Sequence, residues 1–306
     1  MTGYILLFTT VLIGVSKGYC GKKTSEYVNG ITDGLILQAT RLILCVIIGI
    51  SIFAFSNTSS QLNATILFIA LLNGAANAIF LLSWLFSVKS GAYLFVDICL
   101  TAGGIIIPCI CGSLFFDGRI TLLQYIGIII MLLAVLVMNS YNTSITNKKI
   151  STGNILLLLC VAISNGLIGV SEKFFAHYIS VQNINCDLSL FSLLTFLFAS
   201  IILLVALILV SKKQKSSIIS SLKSFPFKNL WIYLILIAAY LFFNTYLTTL
   251  TNQYIDNTVL IYPLKFGSNL ILSAIMAAVL FKEKINSRSI LGMTLISISI
   301  LLINVL

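Results

Sequence analysis

The sequence predicts an all-α membrane protein of ten transmembrane helices, arranged as two inverted five-helix repeats. Three observations carry that prediction. Hydrophobic residues make up 59% of the chain and charged residues 8%, with a mean hydropathy of +1.10; a soluble domain carries about 25% charge. The apolar residues fall in runs of roughly 20, the length that crosses about 30 Å of hydrocarbon as a helix, without the period-two alternation of a β-barrel. Finally, the chain repeats itself. Sliding 255–304 back by 165 positions lays Ile271, Ile275, Phe281, Ile285, Gly292, Leu301 and Asn304 on Ile106, Ile110, Phe116, Ile120, Gly127, Leu136 and Asn139.

Ten spans follow, bounded by charge, Asn/Ser/Thr or Gly: 3–20, 33–55, 64–87, 91–115, 121–141, 152–177, 188–210, 229–250, 257–281 and 288–306. The first lacks the basic start and small-residue cleavage site of a secretory signal, and polar Gly21-Lys22-Lys23-Thr24-Ser25-Glu26 follows it, so it reads as a helix. Spans 4 and 5 flank the turn Phe116-Asp117-Gly118-Arg119, and spans 9 and 10 flank Phe281-Lys282-Glu283-Lys284. Between spans 7 and 8 the Lys/Ser-rich segment 211–228 reads as a basic cytoplasmic loop or short interfacial helix.

The first helices repeat as well, at an offset of 150: Gly3, Ile5, Leu6, Leu7, Val11, Ile13 and Lys23 match Gly153, Ile155, Leu156, Leu157, Val161, Ile163 and Lys173. Residues 1–145 therefore form the first repeat and 146–306 the second. An odd number of spans per repeat turns one copy upside down, the plan of many secondary transporters.

The formal charge of +10 sits in short gaps between spans, which favours anionic lipid headgroups over nucleic acid as partner. Thirteen Lys and Arg residues fall on one side of the ten-span arrangement, among them Lys22, Lys89, Lys148, Lys149, Lys215 and Arg288, and only Arg119 falls on the other. The positive-inside rule makes the first side cytoplasmic and both termini extracytoplasmic. The seven cysteines have no paired metal spacing and read as small packing residues, so neither metal nor other cofactor is expected. Nothing matches a hydrolytic triad, and enzymatic activity is not expected.

At Phe281, Glu283, Lys284 and Gly292 the chain resembles the drug/metabolite transporter superfamily of EamA type, whose halves end in such a turn followed by a Gly and an apolar helix. The first copy departs, with Gly118 where the acid would be. Arg41-Leu42 and the short step Lys89-Ser90-Gly91 are similar to that family too. The resemblance implies a plasma-membrane transporter of small metabolites working by alternating access. It also implies cytoplasmic termini, opposite to the loop charges.

Ionisable residues inside spans are the first candidates for a site, since a charge at the bilayer centre costs about 2.5–3.5 kcal/mol on insertion scales. Arg41, Asp97, Glu172 and Lys265 qualify. Lys265 reads either as a cation that meets a substrate anion or Asp97, or as a snorkelling or structural Lys. Asp97 reads as a proton-coupling or amine-binding carboxylate, or as a structural ion pair with Arg41 or Lys89. Glu172 and Lys173 read most simply as solvated charges near a helix end, and Arg41 as structural. Polar stripes supply the remaining candidates: Asn73, Asn77 and Trp84 on span 3, Asn244 on span 8, and Tyr262 and Asn269 beside Lys265.

The expected substrate is a small polar or zwitterionic, amino-acid-like metabolite, with Asp97 as a proton carrier. A quaternary amine such as choline, caged by Trp84, Tyr93, Tyr246 and Tyr262, and a lipid-carrier flippase are the alternatives. Homodimerisation is left open.

Overall fold

A computed structural model describes residues 2–56, 60–115, 121–146, 151–214, 218–254 and 258–304. Among them the chain is entirely helical, with eleven helices and no strand. They are α1 (Thr2–Ser25), α2 (Ile31–Ser56), α3 (Ala64–Ser90), α4 (Tyr93–Phe115), α5 (Leu122–Thr146), α6 (Thr152–Val181), α7 (Leu188–Lys213), α8 (Ile218–Ser224), α9 (Phe227–Tyr254), α10 (Thr258–Val279) and α11 (Ser287–Asn304). Seven of them, α1 to α4, α6, α7 and α9, are long and apolar enough to cross a membrane. Shorter apolar stretches of 10–17 residues occupy Leu122–Met138, Leu264–Val279 and Ser287–Ile303. The chain is a multi-pass membrane protein.

Several helices outrun the spans read from hydropathy, α1 and α6 among them. α1 continues to Ser25 instead of ending near residue 20, and α6 continues to Val181 instead of 177. Hydropathy marks the hydrocarbon depth, whereas the i→i−4 ladder continues until something breaks it. No proline interrupts Gly21 to Ser25, and Lys22 is held by donating its ammonium to the Val88 carbonyl of α3. Side-chain caps mark several starts. Asn63 accepts the Ile66 N–H at 2.9 Å, Ser151 the Asn154 N–H at 3.2 Å and Asp187 the Ser189 N–H at 2.7 Å, each relieving an orphan donor of a first turn.

The helices pack in a defined set of pairs. α3 and α4 lie on α6, as α9 and α10 lie on α1; α2 packs on α7, α4 on α10 and α5 on α11. In lipid such contacts depend on small residues that let backbones approach. Gly103 of α4 is the clearest case, for a methyl there would overlap the Ala162 carbonyl of α6. Gly74 of α3 likewise admits the Thr195 carbonyl of α7, 2.7 Å from where its Cβ would stand. Outward positions stay apolar, with Phe55 86%, Leu122 77% and Leu209 62% exposed, as lipid-facing surfaces require.

The turn after α10 is tight. Lys282 adopts a left-handed φ of 54°, and the Glu283 N–H closes back on the Ala277 carbonyl at 3.0 Å, which satisfies a carbonyl of the last turn. The equivalent turn of the first copy, 116–119, lies outside the described residues, as do Lys148, Lys149 and Lys215. Within the segment 211–228, α8 is a seven-residue helix with no buried residue.

Candidate functional site

Three glycines on one face of α1 open the space around which the charged residues gather. Side chains would collide there with the Asn269 amide at Gly14, the Tyr93 hydroxyl at Gly18 and the Trp84 indole at Gly21. With those positions bare, groups from α3, α4 and α10 reach α1, and a cavity of about 90 Å³ remains among α1, α2, α3, α4, α6, α9 and α10.

Of the residues expected from sequence, Lys265, Asp97, Tyr262, Trp84, Asn77, Asn244 and Asn269 all line this cavity, and so do Arg41 and Glu172. Asn73 does not. It is fully buried behind the lining, where its carbonyl and amide oxygens both accept from the Asn77 amide at 3.0 and 2.9 Å. Its part is to orient Asn77. The two lie one turn apart on α3, and that spacing alone does not tell which faces the cavity.

Lys17, absent from the sequence candidates, is the fifth charge in the lining. It lies eight residues before Ser25 and so about 12 Å inside α1. A span ending at residue 20 makes it a boundary residue; the longer helix carries it inward. Glu172 gains depth in the same way. The extension of α6 leaves nine residues beyond it, and it is only 3% exposed instead of solvated at a helix end.

Asp97 and Lys265 share the cavity without meeting. No ion pair within 4.0 Å joins the charges of the lining; the pair Lys23–Glu26, at 3.8 Å, lies on the surface. The Lys265 ammonium donates to Thr248 Oγ1 at 2.7 Å, sits 5.7 Å from the Phe266 ring centroid, and interacts electrostatically with Glu172. Asp97 is 3% exposed, interacts electrostatically with Lys17, and its Oδ2 has no hydrogen-bond partner. Lys17 itself lies 5.7 Å from the Phe80 ring centroid and also feels Glu172. Neither of the structural partners expected for Asp97 is in place. Lys89 donates to the Val28 carbonyl, while Arg41 donates to Gln38 Oε1 at 3.0 Å and to the Thr24 hydroxyl.

Aromatic residues stand at both ends. Trp84 meets the edge of Tyr93 at 6.4 Å between centroids; Tyr93 packs on Phe281 at 5.1 Å, and Phe281 stacks on Tyr19 at 5.9 Å. Near the start of α10, the Tyr262 hydroxyl donates to the Gly169 carbonyl of α6 and accepts from the Asn252 amide at 3.3 Å. The four aromatics expected to cage a quaternary amine therefore do not form one box. Trp84 and Tyr93 are paired, Tyr262 stacks on Phe266, and Tyr246 lies outside the lining against Phe242.

No family model matches the chain, and no curated protein matches it. Among solved structures 27 chains match. One, a crystal structure described only as that of a protein, shares 11% identity and a TM-score of 0.69 over 99% of this chain and 96% of its own. At that identity the likeness speaks of fold alone.

Proposed function

We propose that this chain is a secondary transporter of ten transmembrane helices in two inverted repeats, carrying a small polar or zwitterionic, amino-acid-like metabolite across a plasma membrane by alternating access. The observation that carries the reading is the central cavity, where helices of both halves bring two carboxylates and two ammonium groups close without pairing them. Charges held inside the helix bundle without an ion-pair partner are costly to a scaffold and useful to a site for a ligand bearing both signs.

The packing pattern supports the repeat. Exchanging α1 with α6, α2 with α7, α3 with α9, α4 with α10 and α5 with α11 turns the α3–α6 contact into α9–α1, α4–α6 into α10–α1 and α3–α7 into α9–α2, all of which occur. The pairs α2–α7, α4–α10 and α5–α11 map onto themselves. A twofold relation between halves of five helices implies opposite orientation in the membrane, and the rocking of one half against the other is its natural motion. Ten spans take the seven long helices together with the three shorter apolar ones. The EamA-type reading rests on the Phe281–Lys284 turn, and Asp97, with an unpartnered oxygen, is the group best suited to carry a proton. The lysine-rich ends of the helices are assigned to the cytoplasm, with both termini outside.

Uptake of a quaternary amine fits less well. The cavity already holds cations, and Phe80 and Phe266 each lie beside a lysine. The test is counterflow in proteoliposomes loaded with an unlabelled amino-acid mixture. Accumulation of labelled amino acid, abolished in Lys265→Met, is expected; no such accumulation, together with labelled choline accumulating in parallel liposomes loaded with unlabelled choline, overturns the substrate reading. A reporter fused after Leu306 is expected to be extracytoplasmic, and a cytoplasmic signal overturns the orientation.

A further inference from the structure

The charges that line the cavity do not cancel. Lys17 and Lys265 balance Asp97 and Glu172, which leaves Arg41 over. Arg41 is 1% exposed, and its position explains why it stays there: Gln38, itself anchored by donating to the Leu81 carbonyl at 2.9 Å, accepts from one terminal nitrogen, and Thr24 accepts from the other. The third donor, Nε, has no partner. The titratable neighbours of the guanidinium are the thiols of Cys20 and Cys45, and no carboxylate comes within ion-pairing distance among the described residues. A buried cation with an open donor and no counter-ion is unfavourable in the empty protein and is relieved when an oxyanion enters.

We infer that the cavity takes a solute of net charge −1 that carries a second acidic group besides its amine and carboxylate, with Arg41 binding the additional oxyanion. This rests on the amino-acid-like reading above and narrows it. Four of the five charges suit a zwitterion in either orientation, and Arg41 is the charge left over for a further anion. A guanidinium held at two nitrogens keeps its remaining N–H groups in a fixed orientation, so it selects by geometry as well as by charge. Arg41 lies ten residues into α2 and so about 15 Å from its start, well inside the membrane. At that depth a net positive site without its anion is least tolerable.

Glutamate and glutamine, nearly isosteric and differing by one charge, test the inference with the full-length protein in nanodiscs. Equilibrium binding of labelled L-glutamate is expected to be at least about tenfold tighter than that of L-glutamine, the ratio that one charged hydrogen bond supplies. Arg41→Gln is expected to remove that preference by weakening glutamate while leaving glutamine within about twofold. Equal affinity of the native protein for both amino acids overturns the inference and leaves the transport reading intact, and that comparison needs no variant to fold. A parallel loss of both ligands in Arg41→Gln assigns Arg41 a structural part and overturns it too. Failure of both to bind, with choline binding instead, overturns the amino-acid-like reading together with what rests on it.

Discussion

Glu283 accepts the backbone N–H of Tyr93 at 2.7 Å and that of Leu94 at 3.4 Å, so a carboxylate on the turn between α10 and α11 caps the first turn of α4. The bond joins segments 190 residues apart, and it holds Tyr93 where its ring meets Phe281 and Trp84. The acid of that turn thus serves a physical purpose, because four orphan donors begin α4 and a negative charge there also suits the helix dipole. Glu283→Ala is expected to destabilise the protein by about 1 kcal/mol, the usual cost of a lost cap. Thermal unfolding in detergent reads it, with Lys284→Ala as control on the same turn. An unchanged transition for Glu283→Ala removes the cap from the account.

The close approach of α4 to α6 makes a second prediction. Gly103 and Gly112 are both glycines of α4, but a methyl at the first overlaps the Ala162 carbonyl while a methyl at the second meets nothing within 4 Å. Gly103→Ala must push two backbones apart, at a cost of about 1–3 kcal/mol typical of overpacking. Gly112→Ala is expected to be neutral or to stabilise by up to about 1 kcal/mol through helix propensity. Unfolding of the two variants side by side decides it, and equal behaviour would mean that the helices are not held at this contact.

Much of this architecture is legible in the sequence, and the limits have identifiable causes. Helix existence follows from apolar length, and the candidates Asp97, Tyr262, Lys265 and Trp84 follow from a simple rule, that polar groups in hydrocarbon turn inward. Lys17 escapes that rule because hydropathy falls before the helix ends, so a residue well inside α1 looks peripheral. Asn73 is misplaced in the lining because residues one turn apart share a helix face in sequence terms, while only one of them reaches the cavity. Charge partners are the least readable of all. Spacing and depth suggest that Asp97 and Lys265 meet, yet their electrostatic partners are Lys17 and Glu172, a choice made by the packing of α1 and α6 that no spacing within α4 or α10 encodes.

At the opposite end from Glu283, Tyr262 joins α10 to α6 through the Gly169 carbonyl, and Asn252 of α9 donates to the same hydroxyl. One oxygen thus ties three helices. Tyr262→Phe is expected to cost about 1 kcal/mol, the net worth of a typical buried hydrogen bond. Asn252→Ala should cost a similar amount in the native background and much less in Tyr262→Phe, because its acceptor has gone. A double-mutant cycle by denaturant unfolding measures this, and additive effects would show that the two bonds act separately.

Glu172 and Lys265 both line the cavity and interact electrostatically without forming an ion pair, which makes their dependence measurable. Removing one charge leaves the other in a low-dielectric setting; removing both leaves neither. Lys265→Met alone is expected to destabilise by about 2 kcal/mol, below the usual cost of breaking a buried pair because Lys265 is half-buried and Glu172 retains the field of Lys17. Adding Glu172→Gln should recover part of that loss, so that the double variant melts above Lys265→Met. Transport separates stability from use: the recovered double variant is still expected to be inactive in counterflow, since the ligand's carboxylate and amine have each lost a partner. A double variant that transports at the native rate would remove both residues from the site, and one that melts no higher than the single would dissolve the electrostatic link between them.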